Sequence, residues 1–270
     1  MERIKQAIEK AKKQQPNGPA ITAAIQPYTQ EEITASPEPK SLFDLSKVAY
    51  SKTRIIKLRA ENLEKNRIFA FNKNDPTSVI MDVLRTQVLQ KMEEYGWRTV
   101  AITSPTPAVG KTVIAINLAM SIAQKTDKTA MLVDFDLRNP RIGAYLGIPM
   151  DKSLNELLDG KANLQDILVN PDMPRLVILP TKNAVRNPAE TLSSRNISDL
   201  IKNIREYYES RIVIFDLPSL LHSDDAIAVI PQIDCVLMVV ANGMSTKRDI
   251  DGALRHLSKS NLLGTVLNKA

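Results

Sequence analysis

Short apolar runs alternate along most of this chain with longer stretches whose apolar residues fall three or four positions apart. The runs are Thr99 to Thr103, Met131 to Val133, Leu176 to Leu179, Arg211 to Phe215, Cys235 to Ala241 and Leu262 to Leu267. Their length and continuity suit strands buried on both faces. The intervening stretches predict helices over Pro76 to Tyr95, with Val79, Val83, Leu84 and Val88 apolar, and directly after Gly110. Further helices are expected at Leu154 to Leu158, Leu164 to Val169, Asp224 to Ile230 and Thr246 to Leu257. A long one is expected over Ala189 to Tyr208, with Leu192, Ile197, Leu200, Ile201 and Ile204 inward. Strands alternating with helices imply an α/β fold: a doubly wound, mostly parallel sheet with its ligand at the carboxyl ends of the strands.

Before residue 76 the pattern weakens. Ile4, Ala7, Ile8 and Ala11 stand at helical spacing among lysines, a narrow stripe suited to docking on a membrane surface or a partner, or to a solvated terminal helix. Pro16 to Lys40 shows no period and reads as linker, while Thr53 to Leu58 can form a short strand. The expected organisation is an irregular N-terminal extension over residues 1–75 and an α/β domain over 76–270. A chain of 270 residues, 43% hydrophobic, can build one large core and still carry such an extension.

Composition narrows the class. No apolar run approaches bilayer length and the first residues lack a signal-peptide core, so the reading is a cytoplasmic protein. The single cysteine, Cys235, lies within an apolar run and reads as a small buried side chain. His222 and His256 have no ligand partners at useful spacing and are assigned to the surface. The charge of +6 belongs mostly to residues 1–75, with 14 Lys/Arg against 9 Asp/Glu. That excess is diffuse and only 4% of the chain is aromatic, which argues against nucleic-acid binding.

The candidate chemistry lies between Arg98 and Arg141. Gly110-Lys111-Thr112 follows an apolar run and opens a helical pattern, the arrangement of a phosphate-binding loop. Thr106, Pro107, Ala108, Val109, Gly110, Lys111, Thr112 and Val113 form the candidate cradle for a nucleotide's phosphates. In this reading Lys111 meets phosphate while facing solvent, and Thr112 ligates Mg²⁺. The next run ends in Asp134-Phe135-Asp136, and period-two alternation places both carboxylates on one side, beside the loop if the two strands are neighbours. Asp216, at the end of another run, is the candidate carboxylate for positioning Mg²⁺. Asn268 follows the last run and can meet a purine edge. Asp224-Asp225 reads as a helix N-cap.

These residues resemble the bacterial tyrosine kinase family of the CpsD/CapB type, cytoplasmic P-loop ATPases of polysaccharide export within the MinD/ParA-like superfamily. The closest likeness is to the autokinase-like members of exosortase-associated loci. The family's S-P-x-P-G-E-G-K-[ST] corresponds to Ser104 through Thr112, its D-x-D-x-R to Asp134, Asp136 and Arg138, and its Walker B to Val213 through Asp216. The resemblance implies a protein tyrosine (auto)kinase using ATP and Mg²⁺. Lys111, Asp134 and Asp136 would be catalytic, with Asp134 as base; Thr112, Asp134 and Asp216 would serve the metal; Arg138 and Asn268 would serve the nucleotide. It also implies a membrane-anchored polysaccharide co-polymerase as partner and peripheral placement at the inner membrane face through it. The alternative activity is an ATP-operated switch on that partner with little tyrosine transfer. A positioning ATPase of the MinD or ParA kind expects a lysine where this chain has Thr106. Ala108-Val109 replaces the family's Gly-Glu, and the family's oligomerisation motif E-x-x-R-x-x-R falls on Val79, Asp82 and Arg85. The tyrosine-rich tail of the family has no counterpart up to Ala270. Weak autophosphorylation, with Tyr28 and Tyr50 as mobile acceptors, and no stable ring are therefore expected.

Overall fold

The structure, a computed structural model, describes residues 53–72, 74–206 and 210–269, all within one compact unit. Its strands are β1 (Arg54–Ile55), β2 (Thr99–Thr103), β3 (Thr129–Asp134), β4 (Val169–Asn170), β5 (Leu176–Leu179), β6 (Arg211–Asp216), β7 (Cys235–Ala241) and β8 (Leu262–Asn268). They form a single sheet in the order β1-β4-β5-β3-β6-β2-β7-β8, parallel everywhere except between β4 and β5.

Alternate strand residues feed two cores. Val100, Ile102, Leu132 and Ile214 point to one face, and Ala101, Met131, Val133, Val213 and Phe215 to the other. The first face is covered by α2 (Ser78–Glu94) and α3 (Lys111–Lys125), the second mainly by α8 (Arg195–Glu206) and α10 (Lys247–His256). Shorter helices complete the connections: α1 (Ala60–Lys65), α4 (Ile142–Leu146), α5 (Leu154–Leu158), α6 (Leu164–Ile167), α7 (Pro188–Leu192) and α9 (Asp225–Val229).

Helix α3 is apolar nearly all round, and a helix of that kind must be buried on every side. The sheet takes one side, α2 a second, and residues 67–71 a third. Asn117 fixes that third side: its Oδ1 accepts from the N–H groups of Phe69 at 2.8 Å and Ala70 at 2.9 Å, and its Nδ2 donates to the Arg67 carbonyl at 3.1 Å. Leu63, Ile68 and Ala70 are buried in the same core. The boundary placed at residue 76 therefore falls too late, because residues 54–72 are held onto the α/β domain by strand pairing, burial and these hydrogen bonds. Asn117→Ala would leave two backbone donors and one acceptor without partners. It is expected to lower stability by about 3 kcal/mol, measured by urea unfolding.

Three further expectations change. The single helix expected over residues 189–208 is, in its described part, two helices, because Ser193 and Ser194 divert their hydroxyls to backbone groups at the break, Ser193 Oγ donating to Ala189 O at 2.8 Å. Strand β4 was unexpected, being two residues long. Strands β2 and β3 are not neighbours: β6 lies between them, with Asp216 level with both Ile102 and Asp134. The crossover through α3 skips one strand position, which places Asp216 between the loop strand and the Asp134 strand. The expectations for residues 1–15 and 16–40 lie outside the described residues.

Candidate nucleotide site

Strand β2 ends in a loop that climbs over the carboxyl edge of the sheet and enters α3 at Gly110. Its base is laced to the segment after β6: Thr103 Oγ1 donates to Pro218 O at 2.7 Å, and Leu220 N donates to Ser104 O at 2.8 Å. Gly110 has φ +95°, and the space a Cβ would need is taken by the Asn268 side-chain amide. Ala108 also has a positive φ, +64°, where alanine is strained by about 1 kcal/mol relative to glycine. Val109 is fully buried in the core below the loop, which accounts for an apolar residue there. Thr106, Pro107 and Ala108 form the crest. Thr112 and Val113 lie in the first turn of α3, where unpaired N–H groups favour an anion.

Lys111 does not face solvent. Its side chain is 12% exposed and its ammonium lies 3.1 Å from Asp136 Oδ2. Burial works against its charge, yet Asp216, Asp136 and Asp134 together outweigh burial and hold its pKa above the ordinary lysine value. This differs from the expected exposed lysine because three strand ends converge on it.

The two deepest carboxylates are incompletely satisfied. Asp134 Oδ2 accepts from the backbone N–H groups of Arg141 at 3.1 Å and Ile142 at 3.0 Å, while Oδ1 has no hydrogen-bond partner. Neither oxygen of Asp216 meets a donor in good hydrogen-bond geometry, although the Thr112 hydroxyl lies close enough to favour its ionised form. Burial pushes Asp134 well above the usual carboxylate range, and the neighbouring Asp216 adds to it. Burial also pushes Asp216 up to about 7, against the pull of Lys111. Orphaned buried oxygens beside a helix N-terminus are what a divalent cation with phosphate ligands would satisfy, and Mg²⁺ needs only one or two carboxylates. Thr112, Asp134 and Asp216 thus fit Mg²⁺. Among the described residues no group of three or more His, Cys, Asp or Glu forms a protein-only metal cage.

A pH dependence follows. Asp216 ionises near 7 when folded and near 4 when unfolded, so folding favours its protonated form. The stability this contributes is complete below about pH 4 and lost as pH rises through about 7. Without Mg²⁺ and nucleotide, Asp216→Asn is expected to melt above the native chain at about pH 8, with the gap closing toward about pH 4. Thermal melting in the presence of a chelator measures it.

Two candidates are engaged elsewhere. Arg138 makes a two-pronged ion pair with Asp225, at 2.9 and 3.0 Å, so Asp225 is an anchor for Arg138 and not the expected cap. Asp225 is wholly buried, a burial that an acidic pair at the start of a short helix does not announce in sequence. Asn268 Nδ2 donates to the Val109 carbonyl at 2.8 Å. Cys235 is buried, its thiol pushed by burial up to about 12, and His222 and His256 are exposed.

A phosphate loop, a lysine beneath it and strand-end carboxylates on a parallel sheet define a P-loop ATPase fold, and that fold implies nucleotide binding. Residues 97–254 match the family model described as an AAA domain. The chain is 33% identical over 175 residues to the tyrosine-protein kinase CpsD of Streptococcus pneumoniae, covering 64% of this chain and 76% of that protein. It is 28% identical to the kinase domain of VpsO, with a TM-score of 0.65 over 72% of this chain and 96% of that one. The septum site-determining protein MinD of Pyrococcus horikoshii shares the fold, at 22% identity and a TM-score of 0.53 over 63% of this chain and 71% of that one. This chain belongs to the bacterial tyrosine-protein kinase family.

Proposed function

We propose that the chain transfers the γ-phosphoryl group of Mg²⁺-bound ATP to protein tyrosine hydroxyls. The observation that carries this reading is the buried pair Asp134 and Asp216, with unpartnered oxygens, set beside Lys111 and Thr112. The first turn of α3 and Lys111 would bind the phosphates, and Thr112 and Asp216 would hold Mg²⁺, which when bound supplies positive charge to the phosphate oxygens. The acceptor oxygen forms its bond to the γ-phosphorus as the bond to the β–γ bridging oxygen breaks. Asp134 takes the hydroxyl proton through its free Oδ1. Asp136 keeps Lys111 in place until phosphate arrives.

The wider role we infer is control of exopolysaccharide chain length and export, in partnership with a membrane-anchored co-polymerase. Among the described residues no helix is long and apolar enough to cross a membrane, so association would come through that partner at the inner face. Self-association is the second part of the reading. Asp82 turns inward, accepting from Arg85 at 2.7 Å, from Ser121 at 2.9 Å and from Lys125. Despite burial, the Lys125 and Ser121 hydrogen bonds hold its carboxyl below the usual range. A side chain so engaged has nothing to offer a neighbouring copy, which supports weak self-assembly. Of the acceptors, Tyr95 stacks on Trp97 at 4.6 Å, and Tyr28, Tyr50, Tyr207 and Tyr208 lie outside the described residues.

Incubation of the pure chain with labelled ATP and Mg²⁺ tests the activity. Label on tyrosine is the expected result. Label found only as free phosphate would replace the kinase with an ATP-operated switch, and no turnover would remove both.

A further inference from the structure

The end of β8 grips the phosphate loop through the loop's backbone carbonyls. Asn268 Nδ2 holds the Val109 carbonyl, and the next residue, Lys269, donates from Nζ to the Ala108 carbonyl at 2.8 Å. These are consecutive carbonyls of the loop, just before Gly110. The grip is itself anchored: Asn242 N donates to Asn268 O at 3.0 Å, and the Lys269 ammonium also meets Met244 Sδ at 3.2 Å. Positive φ at Ala108 and Gly110, but not at Val109 between them, gives the alternation of hand that turns successive N–H groups toward one anion. Glycine takes that conformation freely, whereas alanine relaxes out of it unless something holds it.

We propose that Lys269 is a positioning residue for the phosphate loop, holding the Ala108 carbonyl so that the crest keeps its anion-binding shape. Its action is indirect, since its ammonium is engaged by the Ala108 carbonyl and Met244 Sδ. The part concerning affinity rests on the nucleotide reading above; the part concerning loop shape does not. In this chain the lysine offsets what Ala108 lacks by not being glycine.

Two measurements test it on the full chain. The first is the affinity of a fluorescent ADP analogue for the native chain, Lys269→Met and Lys269→Arg, each with Ala108 and with Ala108→Gly. Lys269→Met is expected to weaken binding about three- to tenfold, the worth of one exposed hydrogen bond to a charged donor, and Lys269→Arg to restore most of it. With Ala108→Gly the same loss should shrink below about twofold, since glycine needs no tether. Full affinity in Lys269→Met, or an equal loss in both backgrounds, would overturn the proposal. The second is amide hydrogen exchange over residues 106–110 without nucleotide, expected to be faster in Lys269→Met and native-like in Lys269→Arg. Equal exchange in all three would also overturn it. If the native chain bound no nucleotide while exchange still followed Lys269, the nucleotide reading would fall and the tether would stand.

Discussion

Lys111→Ala is expected to weaken ATP binding by about a hundredfold or more, the cost of removing a charged partner worth about 3 kcal/mol from a largely desolvated site. Among the described residues, Arg138 is already committed to Asp225 and Lys269 to the Ala108 carbonyl, so neither stands ready to replace Lys111. The substitution should also touch stability in a particular way. Lys111 is the cation among Asp134, Asp136 and Asp216, so its loss leaves those carboxyls to repel one another when ionised. The variant should melt close to the native chain at low pH, where Asp134 and Asp216 are protonated, and well below it under mildly alkaline conditions. Nucleotide titration and melting curves at both extremes measure the two effects. Native affinity in a folded Lys111→Ala protein would move the phosphate site elsewhere.

Asp134→Asn should cost about a thousandfold in turnover while keeping Mg·ATP affinity within about threefold, as expected when a general base is removed and the binding groups are left in place. Asn keeps the carbonyl oxygen that accepts from Arg141 and Ile142, so the geometry of the strand end persists. Asp216→Asn should differ, with a clear rise in the Mg²⁺ concentration needed for half-maximal activity, because its buried carboxylate beside Thr112 has no backbone donor and is open to the metal shell. Single-turnover phosphorylation combined with Mg²⁺ titration separates the pair. Superimposable Mg²⁺ curves for the two variants would abolish this division of labour.

Much of this architecture is legible in the chain because the central strands are buried on both faces and therefore read as unbroken apolar runs. Cys235–Ala241 is such a case, and its limits in the structure agree with the run. The convergence of Lys111, Thr112, Asp134, Asp136 and Asp216 is legible too, since each falls at a strand end or the turn that follows. Their arrangement is less so. Sheet order depends on which way a crossover packs, and nothing in the run at β3 says that β6 intervenes. Thr53 to Leu58 reads as a short strand, but the attachment of residues 54–72 to the domain does not show. It rests on a two-residue strand pairing, scattered apolar contacts and single side chains such as Asn62, Asn66 and Asn117, with no periodicity. The partners of Arg138 and Asn268 were hidden for a similar reason: Asp225 and the Val109 carbonyl are remote in sequence, and a backbone acceptor leaves no trace in it.

The cover that residues 67–70 give to α3 bears on how the protein can be handled. A fragment cut to residues 97–254, the span of the family match, would discard that cover together with α2 and β8, stripping one flank of an almost wholly apolar helix and leaving β7 as an unprotected sheet edge. Such a fragment is expected to precipitate during purification, whereas one beginning at or before Thr53 should remain dispersed. What looks like a leader to the enzyme is, in physical terms, its outer wall.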